Sequence, residues 1–259
     1  MLASKLIKNV LPKAIQPLLD LVGPSFFKAV PWLDLTAEGR VILAHLAGSD
    51  SKQSKLAEKQ LQKMLLGRQI ELTTELVENS ATMEAEDKKQ VGEKILELYF
   101  LQLRNEQGVF LDLRSQRFSA DAENLYFSTG QLWIQMQVLF RESLLDLYKG
   151  YYQSKPKLFD KGLTGIGLMN EKMSAEQKEK IKDLFLKYFG EGDQTEVRFS
   201  TEHFVQGFEK IFRFIAAEKL EISAQFLYLG IYLASLYQHL QTLDVPLNVR
   251  LSYNKAMKD

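Results

Sequence analysis

The stretch ENLYFSTGQLWIQMQVLFRESLLDLYKGYY, Glu123 to Tyr152, decides how this chain is read. Its first five letters match part of a tag-protease site, but that site needs Gln next and Ser128 stands there. The segment also has a role in place, because the side-chain oxygen of Ser128 or Thr129 can accept from a free N–H at the start of a helix. It is native chain, and one continuous protein is being read. From Gln131 to Tyr152 the pattern predicts a helix that is apolar round most of its circumference. Gln131, Gln135, Glu142, Asp146 and Lys149 fall on one narrow polar stripe. Such a helix belongs at the centre of a core.

Away from that stripe, Gln137 and Arg141 stand one turn apart, so both are expected to face inward. A buried guanidinium needs a partner, since an unpaired charge in a core is very costly. Two accounts stay open. One is a structural salt bridge to Asp112 or Glu209, and the other is an anion or polar-ligand site.

Outward from this segment the chain reads as helix almost everywhere. Apolar residues recur at three and four over Thr36–Ala47, Lys52–Leu66, Ile70–Val77 and Glu86–Arg104, then again over Glu202–Lys219 and Ile222–Leu243. Ser174 with Gln177 forms a capping-box pattern that opens another helix. Between Ser154 and Ser174 the spacing predicts a linker with one helical turn. GVFLDLRSQRFS, Gly108 to Ser119, breaks the rhythm: Val109, Leu111 and Leu113 alternate with Phe110, Asp112 and Arg114, the period of a short strand or hairpin. The expected fold is all-α, one multi-helical domain over residues 36–259 with a small β-hairpin near 108–119.

Residues 1–35 form a separate N-terminal arm, broken by Pro12, Pro17, Pro24 and Pro31 into short pieces. Lys5, Asn9, Lys13, Gln16 and Asp20 share one face, with Ile7, Leu11, Ile15, Leu18 and Val22 opposite. The arm holds four Lys against two Asp, a local +2 in a chain whose 33 basic and 33 acidic residues balance. Lys5, Lys8 and Lys13 beside Phe26, Phe27 and Trp32 have the chemistry of a membrane-surface anchor or a partner-binding arm. The same pattern fits an arm packed on the domain. No apolar run followed by a small-residue cleavage site makes it a secretory leader.

Several chemistries find no motif. Without Cys there is no disulfide, thiolate metal site or cysteine nucleophile, which fits a cytoplasmic protein, with the membrane surface as a second location. The residues three before His45, His203 and His239 are Ile42, Ser200 and Leu236, so the Glu-x-x-His pattern of di-iron bundles is missing, and no metal site is expected. GLTGIG, Gly162 to Gly167, has its glycines in the wrong order for a dinucleotide loop and reads as linker or helix cap. His203 reads as an exposed first-turn residue. His239 can be an axial haem ligand or a buried imidazole bonded to a carbonyl. With balanced charge, no nucleic-acid partner is expected.

The apolar helix from Ile222 to Leu243 has no charged residue, yet Gln225, Gln238, His239 and Gln241 make it a core helix rather than a membrane span. Gly230 and Ala234 suit a close helix contact, and Tyr228, Tyr232 and Tyr237 need internal partners. KLEISAQFLYLGIYLASLYQHLQTLDVPLNV, Lys219 to Val249, resembles the C-terminal helices of the UbiB/AarF family of atypical kinase-like proteins, with Val245 interrupting that family's Leu-Asp-Pro-like turn. The nucleotide-binding Lys, catalytic-loop Asp and Asn, and Asp-Phe-Gly of that family are missing. The resemblance therefore implies a helical accessory associated with membranes or prenyl lipids, and no catalytic residue carries over. The sequence predicts a non-catalytic helical protein that binds a membrane face, lipid or partner helix without a cofactor. A helical enzyme with a haem-type redox cofactor is the alternative. The candidate residues are Lys5, Lys8, Lys13, Phe26, Phe27 and Trp32 for membrane or partner, and Gln137, Arg141 and His239 for a buried polar site.

Overall fold

Trp133 and Ile134 fall inside the expected central helix, yet they form a strand, antiparallel to Val109 and Phe110. The computed structural model describes residues 13, 15–46, 51–75, 84–189, 196–220 and 222–258. The protein is predominantly helical. Its elements are α1 (Gln16–Val22), α2 (Phe26–Ala29), α3 (Trp32–Leu46), α4 (Ser51–Met64), β1 (Ile70–Leu72), α5 (Ala85–Arg104), β2 (Val109–Phe110), β3 (Phe118–Ala120), β4 (Leu125–Phe127), β5 (Trp133–Ile134), α6 (Val138–Tyr152), α7 (Pro156–Gly165), α8 (Ala175–Phe189), α9 (Thr201–Ala217), α10 (Phe226–Leu243) and α11 (Val249–Met257).

The chain divides into two compact units. Unit 1 comprises Met1–Leu43, Met136–Gln194 and Thr201–Ala234, and unit 2 comprises Ala44–Gln135, Thr195–Ser200 and Ser235–Asp259. Residue 35 is not a boundary in this division.

In unit 1 the core is a run of aromatic rings. Phe26 meets Phe212 edge to face at 5.1 Å between centroids, Phe212 meets Phe226 at 5.6 Å, and Phe226 meets Phe140 at 5.3 Å. Edge-to-face geometry sets the positive ring edge against the negative face and adds to the area buried. Gly230 of α10 lies against Val22 and Phe208, where an added Cβ would be only 3.0 Å from Val22. This is a close contact of the kind expected at Gly230.

The stretch Ser154–Ser174 is not a linker. Pro156 opens α7, where its missing N–H costs nothing, and ten residues run helical to Gly165. Of the GLTGIG glycines, Gly167 turns the chain after the helix at φ 86°, as expected of a cap, whereas Gly162 serves packing: a Cβ on it would lie 2.5 Å from the backbone nitrogen of Leu147 on α6. Only a residue without a side chain lets these backbones approach so closely. Ser174 and Gln177 form the expected capping box ahead of α8, with Ser174 N–H donating to Gln177 at 2.8 Å and the reverse bond at 3.2 Å.

In unit 2, α5 buries its C-terminal half, from Ile95 to Leu103. The β ornament is more extensive than expected. Strands lie in order β1-β4-β3 in one sheet and as β2-β5 in a second, so the two ends of Gly108–Ser119 pair elsewhere rather than with each other. Ile70–Leu72 is a strand parallel to Leu125–Phe127, where a helix was expected. Short apolar runs fit either period, and pairing with a distant segment decides between them.

Candidate functional site

With Trp133 and Ile134 in a strand, α6 begins at Val138. Neither Ser128 nor Thr129 caps it, because the chain between is extended or turning. Gln137 is the N-cap, with φ −56° and ψ 135°. Its carbonyl accepts the first helical bond, from the Arg141 N–H at 3.0 Å, but the expected inward pair does not form: Gln137 is exposed, while Arg141 is buried at 7% exposure. Asp112, one expected partner of Arg141, is held by Arg114 and Arg117 at 2.7 and 3.1 Å. Glu209, the other, accepts from the backbone N–H and hydroxyl of Ser25, the residue before α2.

The start of α6 meets a polar junction that the sequence did not point to. The Gln137 N–H donates to Gln225 Oε1 at 3.1 Å, and Gln225 Nε2 donates to Glu38 Oε1 at 3.0 Å. Tyr228 Oη donates to Glu38 Oε2. Tyr228 is 1% exposed, whereas Glu38 is half-buried. Burial and, next, the hydrogen bond and charge of Glu38 drive the phenol far above its ordinary pKa, so it stays a neutral donor. One side-chain amide thereby ties α3, α10 and the first amide of α6 together.

The two helices that carry Glu38 and follow Gln137 also expose apolar side chains. Val138 and Leu139, in the first turn of α6, are 60% and 77% exposed. Leu33 and Val41 of α3 are 79% and 40% exposed. Scattered exposed leucines are ordinary, but four large apolar side chains on the two elements that Gln225 joins make a candidate contact surface.

The other expected residues are placed as follows. Phe26 and Phe27 are buried, at 0% and 6% exposure, because their rings build the core of unit 1; the aromatic foothold expected of them is not at the surface. Lys13 is exposed. Lys5 and Lys8 lie outside the described residues, as does the side chain of Trp32. His203 is exposed on α9. His239 belongs to unit 2 while Gln137 and Arg141 belong to unit 1.

The His239 ring is 5% exposed, and its Nδ1 donates to the Leu113 carbonyl at 2.9 Å. Burial, opposed in part by that bond, pushes its pKa down to about 4, so the imidazole is neutral near pH 7. One turn earlier, Ser235 Oγ donates to Leu111 O at 2.6 Å and accepts from Leu113 N at 3.1 Å. A helix edge thus satisfies the Leu111 carbonyl and the Leu113 N–H, while the Leu111 N–H donates to the Leu132 carbonyl at 2.8 Å. Asp112, between these leucines in sequence, is buried at 2% exposure with its carboxyl on Arg114 and Arg117. Burial alone would raise it, but hydrogen bonds and charge from Arg114 and Arg117 outweigh burial and hold it below its ordinary value.

Among the described residues no group of three or more His, Asp or Glu is placed to hold a metal ion, and no helix is long and apolar enough to cross a membrane. No protein-family model and no curated protein matches the chain.

Proposed function

We propose that the protein is a non-catalytic helical binding protein, and that Leu33, Val41, Val138 and Leu139 in unit 1 engage an apolar surface, the face of a lipid bilayer. The observation that carries this reading is the exposure of Val138 and Leu139 at the first turn of a helix whose remaining apolar face is buried. Fully burying one Leu or Val is worth about 1.5–3 kcal/mol, so four such side chains supply several kcal/mol before the costs of association. Attachment of this size is reversible. The basic residues Lys5, Lys8 and Lys13 add roughly 1 kcal/mol each near an anionic surface, which salt weakens.

The resemblance of Lys219–Val249 to UbiB/AarF proteins supports the same reading, as a proposed kinship with membrane or prenyl-lipid accessories. The haem-type alternative has no such support, since the His239 ring is enclosed and its Nδ1 is bonded to a backbone carbonyl.

The test is co-sedimentation with vesicles of phosphatidylcholine, with and without phosphatidylserine. Wild type is expected to sediment with both and more with the anionic set. Leu33→Ser with Leu139→Ser should stay in the supernatant at unchanged melting temperature, and Lys5, Lys8 and Lys13 changed to Glu should lose only the anionic preference. If the double leucine variant sediments as wild type does, this surface is not the contact. If nothing sediments but the wild type self-associates or holds a partner that the variant releases, the apolar partner is protein.

A further inference from the structure

Strand β1 is the outer strand of its sheet, and an open groove meets its N-terminal end at Gln69 and Ile70. The register Ile70↔Leu125, Glu71↔Tyr126, Leu72↔Phe127 is parallel. Leu125 N–H donates to Gln69 O and Thr73 N–H to Phe127 O, each at 3.0 Å. In a parallel ladder alternate residues turn both backbone groups to the same neighbour. Gln69, Glu71 and Thr73 therefore face β4, and the N–H and C=O groups of Ile70 and Leu72 point outward. Among the described residues nothing bonds them. A bare edge of this kind is a template for another strand.

The groove at this end of the strand, about 620 Å³, is lined by Leu66, Arg68, Lys94, Glu97, Lys255 and Lys258 with Ile70. Four cations face one carboxylate there, in a chain whose total charge is zero. Arg68 is a fixed part of the wall: it bonds Glu97, the Lys255 carbonyl at 2.9 Å and the Lys258 carbonyl at 2.7 Å. Lys94 donates to the Glu123 carbonyl at 2.6 Å and keeps further N–H groups to give. Burial first, and the nearby charge of Lys255, push its pKa below the ordinary lysine value, against the opposing pull of Asp121. Leu66, 78% exposed at the rim, offers an apolar foothold.

We infer that this edge and groove dock an extended acidic segment of a partner protein, which adds a strand to β1 through Ile70 and Leu72 and sets its carboxylates against Lys94, Lys255 and Lys258. Main-chain bonds supply affinity in strand addition, and the basic wall selects the partner by charge. This site lies in unit 2 and does not depend on the apolar-surface reading of unit 1.

The test is fluorescence anisotropy with the full chain and a labelled octapeptide alternating Glu and Leu. Saturable binding is expected. Lys94→Glu with Lys255→Glu should weaken it by roughly tenfold or more at unchanged melting temperature. N-methylation of the peptide amides along one edge should weaken it comparably, because it removes the donors a strand needs. An octapeptide alternating Lys and Leu should not bind. The inference is overturned by failure of the acidic peptide to bind at about 1 mM, or by equal binding of the Lys or N-methylated peptides. Binding only after residues 76–83 are replaced by Gly and Ser would overturn it by making that segment the occupant. A single-stranded oligonucleotide that binds more tightly than the peptide, and is lost in the double Lys variant, would overturn it in favour of nucleic acid.

Discussion

The two halves of α10 treat their polar groups differently. In the second half, Ser235 and His239 are buried and bond the backbone of Leu111 and Leu113, groups that have nowhere else to turn. In the first half, Tyr228 is buried but bonds Glu38, a half-exposed carboxylate that water can also reach. A polar group committed to buried backbone is architecture. One that shares a carboxylate at the surface, beside exposed Leu33, Val138 and Leu139, stands where a partner can add to the contact. Polar burial alone therefore does not mark a functional site in this protein; the exposure of its bonding partner separates the two cases.

The sharpest way to break this contrast is the architectural side. Asp112→Ala leaves Arg114 and Arg117, 16% and 31% exposed, without their shared carboxylate. Removing one member of a buried ion pair costs about 3–5 kcal/mol, and chemical denaturation should record a loss of that size. A loss under about 1 kcal/mol would mean that the cluster is solvated and the account of the Leu111–Leu113 segment is wrong.

Acid provides the second test. The folded pKa of His239, about 4, lies below the unfolded value of 6.5, so between these values the unfolded chain takes a proton that the native one refuses. The His239 contribution is fully present above pH 6.5, declines as pH falls, and is gone below about 4, a total of about 3 kcal/mol at roughly 1.4 kcal/mol per pH unit. Stability of His239→Gln, followed by urea melts across this window, should fall less steeply than wild type. Parallel slopes would place the imidazole in water.

Smaller effects compare the halves directly. Ser235→Ala strands a buried Leu113 N–H and should cost about 1–3 kcal/mol, while Tyr228→Phe leaves Glu38 free to bond water and should cost about 1 kcal/mol or less. Thermal melts of the two variants check the order, and equal losses would erase the distinction between the halves. Smallest of all, Leu139→Ser should change stability by less than about 0.5 kcal/mol, as expected for a surface side chain.

What the sequence made legible follows the same division. The helical periods of α5 and α9 and the Ser174 capping box depend on residues a few positions apart, and local patterning reveals them. The start of α6 was not legible, because Trp133 and Ile134 are extended only through pairing with Val109 and Phe110. With that shift Gln137 is the exposed N-cap, and of the two side chains expected to face inward only Arg141 is buried. Gln225 appeared only as a polar interruption in an apolar helix, and Glu38 carried no local signal. Their junction is made by segments far apart in sequence. The burial of Phe26 and Phe27 was hidden likewise, since aromatic residues beside lysines suit a membrane foothold and a core equally until Phe212 is seen against them.

The central claim is that the first turn of α6 meets an apolar surface. The chain has no Cys, so Leu139→Cys, carrying an environment-sensitive dye, reports that position alone. Leu251→Cys, at an exposed position on α11, provides the reference. On adding phosphatidylcholine and phosphatidylserine vesicles, the dye at position 139 should shift to the blue and brighten as it leaves water, and the dye at 251 should stay unchanged. Equal behaviour at both positions, or no change at 139 under conditions where the protein sediments with the vesicles, would contradict the account.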